Sequence, residues 1–274
     1  GGTAKVLSAT VEKGGSLFGG TYDLVPEGAV RNASSAGYSL PYKLNGNSKE
    51  LQNVGLFTNH GTIGATDKNS SLRIHGDLLS DGMLLAWAGS GAGHIAVSGR
   101  AKIDGSDVQV ANWSEVLPDE TVTVLTASSI EGDTKTPVGT RYAVSGMMSA
   151  ENKIENNVLS VVTRTENNLG EMDETQSETF GAMTAMYSNL KNNNDARVNE
   201  MRTLFHLPSA EAKEALSSIS SNAAAKNMAA VQRSNVTQHL LSARLNEAFT
   251  TKPVKVKRSR SEERRVGKGV DLGG

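Results

Sequence analysis

The chain has 274 residues, of which 37% are hydrophobic, enough to supply a core, and no cysteine, which excludes disulfide frameworks, thiolate metal sites and thiol nucleophiles. The formal net charge of -1 is spread unevenly: Asp plus Glu against Lys plus Arg stands at 17 to 13 over residues 1–169, 9 to 7 over 170–249 and 3 to 8 over 250–274. The body is therefore mildly acidic, and no nucleic-acid partner is expected for it.

The opening stretch, GGTAKVLSATVEKGG, carries no basic-then-apolar leader, and the chain contains no apolar run of the roughly 18 residues a membrane helix needs. It reads as an internal piece of something longer. Twenty-two of the 28 glycines lie between Gly1 and Gly146, and only Gly170 and Gly181 fall between positions 147 and 266, so the first half turns often and the second does not. Short alternating or β-branched runs recur in the first half: SLRIHGDLL, GMLLAWAG, GHIAVSG, RAKIDG, SDVQVAN and ETVTVLTAS. No helical-length segment separates them, which excludes a doubly wound α/β fold and leaves a sandwich or a stacked solenoid. The apolar-x-apolar-x-Gly strand ends and the 4% aromatic content favour the solenoid, whose narrow interior takes Val, Ile, Leu and Ala. The expected class is mainly β with a C-terminal α region, a parallel β-solenoid whose rungs are followed by helices. Residues 1–169 form the β part, and Trp87 and Trp113 read as core or capping residues.

From Ser177 the apolar period changes from two to about 3.6. Phe180, Met183, Tyr187 and Leu190 share one helix face, KNNND ends that helix, and Val198, Met201, Leu204 and Phe205 mark a second short one before Pro208. A third helix begins at Ser209, its N-cap, with Glu211 in the positive first turn. Its apolar stripe includes Leu216, Ile219, Met228, Val231, Leu240 and Leu245, with a slip between Val231 and Val236. Continuous over residues 209–249 it would extend ~60 Å. Lys226, Gln232, Arg233, Gln238, His239 and Arg244 make it too polar for lipid, which leaves a water-lined tube or a surface packed by its stripe.

Catalytic chemistry finds little footing. The histidines at 60, 75, 94, 206 and 239 have no ligand spacing, Asp104 and Asp107 read as a Gly-containing hairpin turn, and Gly-Ser90-Gly is not a nucleophile elbow. No catalytic, cofactor-binding or metal-binding residue is assigned.

The order of parts carries a resemblance. GHIAVSGRAKIDGSDVQVANWSEVLPDETVTVLTASSIEGD resembles the last rungs of a type V autotransporter passenger, its autochaperone segment, and residues 177–245 are similar to the helical junction before that family's outer-membrane translocator barrel. Ser242-Ala243-Arg244-Leu245 stands where the family's Ala/Ser-rich stretch ends in Arg-Leu. The likeness spans roughly residues 72–249, about 72–165 of it autochaperone-like. It implies a helical junction over 170–249 and a helix over 209–249 that plugs the barrel lumen, with Leu216, Ile219, Ala224, Met228, Ala229, Val231, Leu240, Arg244 and Leu245 as its structural residues. It implies too that Trp113 and Leu125 in the last rungs help nucleate folding outside the cell. The implied partners are the chain's own outer-membrane barrel and the outer-membrane assembly machinery, with an unidentified host-surface ligand. The implied place is the outer membrane, the cell surface or the exterior of a diderm bacterium. The paired asparagines at 156–157 and 167–168 and the run Asn192 to Asn194 lie outside the plug, so self-cleavage there is not expected.

No barrel follows: residues 250–259 read as a linker, and RSEERRVGK, from Arg260 to Lys268, looks like a translated sequencing adapter, so 260–274 are set aside as an artefact tail. Two other readings stay open: a solenoid adhesin or phage-fibre-like binding protein, and a secreted enzyme whose catalytic residues lie upstream.

Overall fold

The computed structural model describes residues 2–33, 35–40, 54–89 and 93–225. The short runs do become strands. The first six are β1 (Thr3–Lys5), β2 (Ser8–Val11), β3 (Ser16–Phe18), β4 (Gly20–Asp23), β5 (Val30–Arg31) and β6 (Tyr38–Ser39). Nine follow up to position 126: β7 (Leu56–Asn59), β8 (Thr62–Gly64), β9 (Leu72–His75), β10 (Asp77–Ser80), β11 (Met83–Ala86), β12 (Ile95–Val97), β13 (Arg100–Lys102), β14 (Asp107–Val110) and β15 (Thr121–Thr126). The last four are β16 (Ser129–Glu131), β17 (Arg141–Ala143), β18 (Met148–Glu155) and β19 (Val158–Thr165).

Apart from the small antiparallel pair β5–β6, the strands up to β16 pair in parallel across three sheets. One sheet runs β1-β4-β9-β12-β15, the second β2-β7-β10-β13-β16 and the third β3-β8-β11-β14. Register keeps apolar side chains in columns: Leu72 pairs Ile95 and Ile95 pairs Leu125, while Ile63 pairs Leu84 and Leu84 pairs Val108. On β9 the columns alternate with solvent-facing Arg73 and His75, so period-two patterning and cross-strand burial act together. Asn59, Ser80 and Ser106 run through the interior as a hydrogen-bonded line, which satisfies polar groups that burial would otherwise penalise.

The expected class is corrected by this topology. The described residues form a mixed α and β structure with several mostly parallel sheets and three α-helices, not the parallel β-solenoid expected over residues 1–169. After β15 the first sheet turns antiparallel through β19, β18 and β17. The hairpin between β18 and β19 is made by the turn Asn156-Asn157, where both residues take positive φ, 50° and 61°. That conformation folds two eight-residue strands back on each other, and it suits asparagine. Pattern reading sees the strands but not their direction. Asp104 and Asp107 are corrected too: β13 and β14 lie in different sheets, so the segment between them is a corner and not a hairpin.

The helical part follows: α1 (Glu174–Asn192), a 3₁₀ turn (Ala196–Met201), α2 (Arg202–Phe205) and α3 (Ser209–Ala225). Asp173 caps α1 reciprocally with Gln176, three residues earlier than the periodicity suggested. Two hydrophobic cores result. The larger fills the space between the sheets, and the smaller gathers Met183, Tyr187, Leu190, Met201, Leu204, Phe205, Ala212 and Leu216 from the helices around Leu117, Met147 and Leu169 from the β part.

Candidate functional site

The second core marks a seam where the helices close onto one end of the sheets. Three loops supply the β side: residues 112–120, 144–147 and 166–169. The first is pinned by Thr163, whose hydroxyl donates to the Leu117 carbonyl at 2.6 Å, and by the Glu120 carboxylate, which accepts from the Leu117 amide at 3.0 Å. The Pro118 and Asp119 carbonyls are thereby turned toward α1. Spacing of four places Tyr187 and Lys191 on one face of α1. The Tyr187 hydroxyl donates to Pro118 O at 2.6 Å, and the Lys191 ammonium donates to Pro118 O at 2.6 Å and Asp119 O at 2.8 Å. Burial, reinforced by the Asp119 and Glu120 carboxylates, holds the Tyr187 phenol above its ordinary pKa, so it remains a donor.

The neighbouring contacts repeat the pattern of helical donors on loop carbonyls. His206 Nε2 lies 2.7 Å from Val116 O, and beside it Arg202 Nη1 donates instead to a side chain, the Glu115 carboxylate, at 2.8 Å. In the other direction the Gly146 amide donates to Leu207 O at 3.0 Å and the Ser145 hydroxyl to Phe205 O. Ser209 donates to Asn168 O at 3.1 Å, while the Asn168 amide bonds the Ser145 and Met148 carbonyls. Gly146 is needed for the approach: a Cβ there would stand 2.7 Å from Leu169 Cδ2 and 2.9 Å from the Ser209 backbone. Beneath these bonds Tyr187 and Phe205 meet edge to face, centroids 4.8 Å apart, against Met147 and Leu117.

Of the residues named from the sequence, Leu216 is fully buried in this core and Ile219 packs at its edge. Ala224 falls in α3, and Met228, Ala229, Val231, Leu240, Arg244 and Leu245 lie outside the described residues, as does Ser90. Trp113 sits in a 3₁₀ turn (Trp113–Glu115) and packs on the larger core, where Leu125 is fully buried between Ile95 and Leu159. Sequence reading missed Lys191, Arg202, His206, Ser145, Gly146 and Asn168. The Tyr187-Lys191 spacing was a usable signal for one face, but apart from the Glu115 carboxylate that Arg202 meets, the acceptors are oxygens of the backbone, which leave no trace in side-chain patterns.

Recesses lie elsewhere among the described residues. One, of about 330 Å³, is lined by Lys5, Val6, Leu7, Asp23, Val25, Pro26 and Glu27. Another, of about 80 Å³, is lined by Trp87, Gly89, Gly93, His94 and residues 121–123, and there burial, then Arg73, lowers the His94 pKa. Among the described residues no group of three His, Asp or Glu side chains is placed to hold a metal ion, and no helix is long and apolar enough to cross a membrane. Comparison of the chain with known protein families, with curated proteins and with solved structures finds no match.

Proposed function

We propose that the chain is the end of an autotransporter passenger with its helical junction, displayed on or released from a diderm cell through its own outer-membrane barrel. The observation that supports this reading is the seam. A passenger whose last rungs nucleate folding outside the cell needs the apolar side chains at that end of the sheets covered from water, because left exposed they invite association with other chains. Here the first sheet turns antiparallel, the loops at that end present carbonyls and three apolar side chains, and α1, α2 and α3 cover them. On this reading the residues at the seam are structural, no catalytic step belongs to them, and the partners are the barrel and the machinery that assembles it.

The test places residues 1–249 between a secretion signal and an outer-membrane translocator barrel and measures cleavage by external protease on intact cells. The unaltered chain is expected at the surface. Met147→Asp, which puts a charge into the fully buried centre of the seam, is expected to leave most of the chain in the periplasm, whereas Phe18→Asp, at a side chain already 41% exposed, is expected to change little. Equal display of the Met147→Asp chain, or no display of the unaltered one, overturns the proposal.

A further inference from the structure

Methionine is divided unevenly between the two cores. The larger has no buried methionine, whereas Met147, Met183, Met186 and Met201 are all buried in the smaller, and Met172 packs against its edge. A thioether fills irregular gaps well, which suits a place where helices meet loops, but its sulfur is also the atom that peroxides attack. The five differ in access. Met147 and Met183 are 0% exposed, Met201 1% and Met186 7%, while Met172 is half-buried. A dissolved oxidant meets Met172 in the closed seam and meets the other four chiefly when the seam opens.

Met172 also stands where the helical part is tied together. It immediately precedes Asp173, the N-cap of α1, after Gly170 has turned the chain at φ 72°. An apolar side chain just before an N-cap fixes the angle at which the chain enters its helix. The Asp173 carboxylate accepts from the Gln176 amide at 2.7 Å, Gln176 Oε1 accepts from the Asp173 amide at 3.1 Å, and Gln176 Nε2 donates to Ser217 Oγ on α3 at 2.8 Å. The first turn of α1 thus holds α3 as well. A sulfoxide on Met172 would replace an apolar contact with a polar group that favours water, and draw this turn off the core.

We propose that Met172 is an oxidation site, and that its conversion to the sulfoxide by a peroxide loosens α1 and α3 from the loops and opens the four buried methionines to the same reaction. The Met172 sulfur donates an electron pair to one peroxide oxygen, so that the S–O bond forms as the O–O bond breaks. Sulfur is oxidised by two electrons, and the other oxygen leaves as hydroxide, takes the remaining proton and becomes water. Hydrogen peroxide added to the full 274-residue chain tests this, with oxidised peptides followed by mass spectrometry and helix content by circular dichroism. Met83, half-buried on β11 in the third sheet and outside the seam, is the internal control. Met172 and Met83 are expected to react first, and the helix signal to fall with Met172. In Met172→Leu, which keeps the apolar volume without the sulfur, the four buried methionines are expected to react roughly tenfold more slowly, with Met83 unchanged. In Met172→Gln, polar from the outset, they are expected to react without a lag. Equal rates for the four in the unaltered chain and in Met172→Leu overturn the proposal. So does a helix signal that survives full oxidation of Met172, or oxidation of the buried four ahead of it. The order of reaction in the unaltered chain needs no substitution, so it tests the proposal even where a variant does not fold.

Discussion

Tyr187 and Lys191 donate to the same carbonyl, and that shared acceptor makes a double-substitution experiment decisive for the seam. In Tyr187→Phe the buried Pro118 oxygen keeps the Lys191 ammonium at 2.6 Å, so the loss is one net hydrogen bond, about 1 kcal/mol. In Lys191→Met the oxygen keeps the Tyr187 hydroxyl, also at 2.6 Å, and Asp119 is exposed enough for water to replace the lost donor, so the cost is again about 1 kcal/mol or less. Removing both leaves a buried carbonyl with neither donor, which adds a desolvation cost of about 1–3 kcal/mol. The double variant is therefore expected to lose about 1–3 kcal/mol more than the two single losses together. Urea unfolding followed by far-ultraviolet circular dichroism, which reports the helices, supplies the four stabilities. Additive losses refute the shared-acceptor geometry, because independent bonds to separate groups would give no coupling.

Gly146→Ala is expected to destabilise the helical part by about 1–3 kcal/mol in the same assay, since its methyl group meets Leu169 and the Ser209 backbone inside contact distance; retention of full stability would mean that α3 does not approach the loop so closely. His94 gives the pH-dependent case. Its folded pKa lies below the ordinary value near 6.5, chiefly through burial, so its contribution is present above about pH 6.5 and is lost as pH falls below it. Stability measured at pH 8 and pH 5 is expected to drop less in His94→Gln than in the unaltered chain, and an equal drop would place the burden on other groups.

Strand positions were legible because burial and side-chain alternation impose the same pattern on each short run. SLRIHGDLL became β9 and β10, with Gly76 at the corner, and ETVTVLTAS became β15. The helix face of Met183, Tyr187 and Leu190 was legible for the equivalent reason at period 3.6. Strand direction was not, because β15 looks the same whether its neighbour runs parallel, as β12 does, or antiparallel, as β19 does. Asp77 was equally hidden: a carboxylate at a strand start reads as exposed until Arg31, 46 residues away in sequence, is known to reach it. Both failures concern long-range pairing, which a local window does not contain.

The balance of forces at the seam explains why the helices belong to the β part. The described helices span 19, 4 and 17 residues, lengths at which an isolated helix in water is marginal or absent, and their stability has to come from packing. On the β side the apolar contribution is Leu117, Met147 and Leu169; at about 1.5–3 kcal/mol for each fully buried side chain, they bring about 5–9 kcal/mol to the contact. The hydrogen bonds of Tyr187, Lys191, His206, Ser145 and Gly146 contribute about 0.5–1.5 kcal/mol each, and their directionality selects the docked orientation that apolar burial favours. Those three apolar residues come from loops fixed by β15, β18 and β19, Leu117 through Thr163 on β19 itself. The antiparallel end of the first sheet has to be in place before the surface that α1 and α3 cover exists. A substitution that loosens β19 should therefore unfold the helices as well, although α1 has no residue in the sheets. The converse does not hold for the larger core, whose buried apolar columns are complete without any residue of α1, α2 or α3.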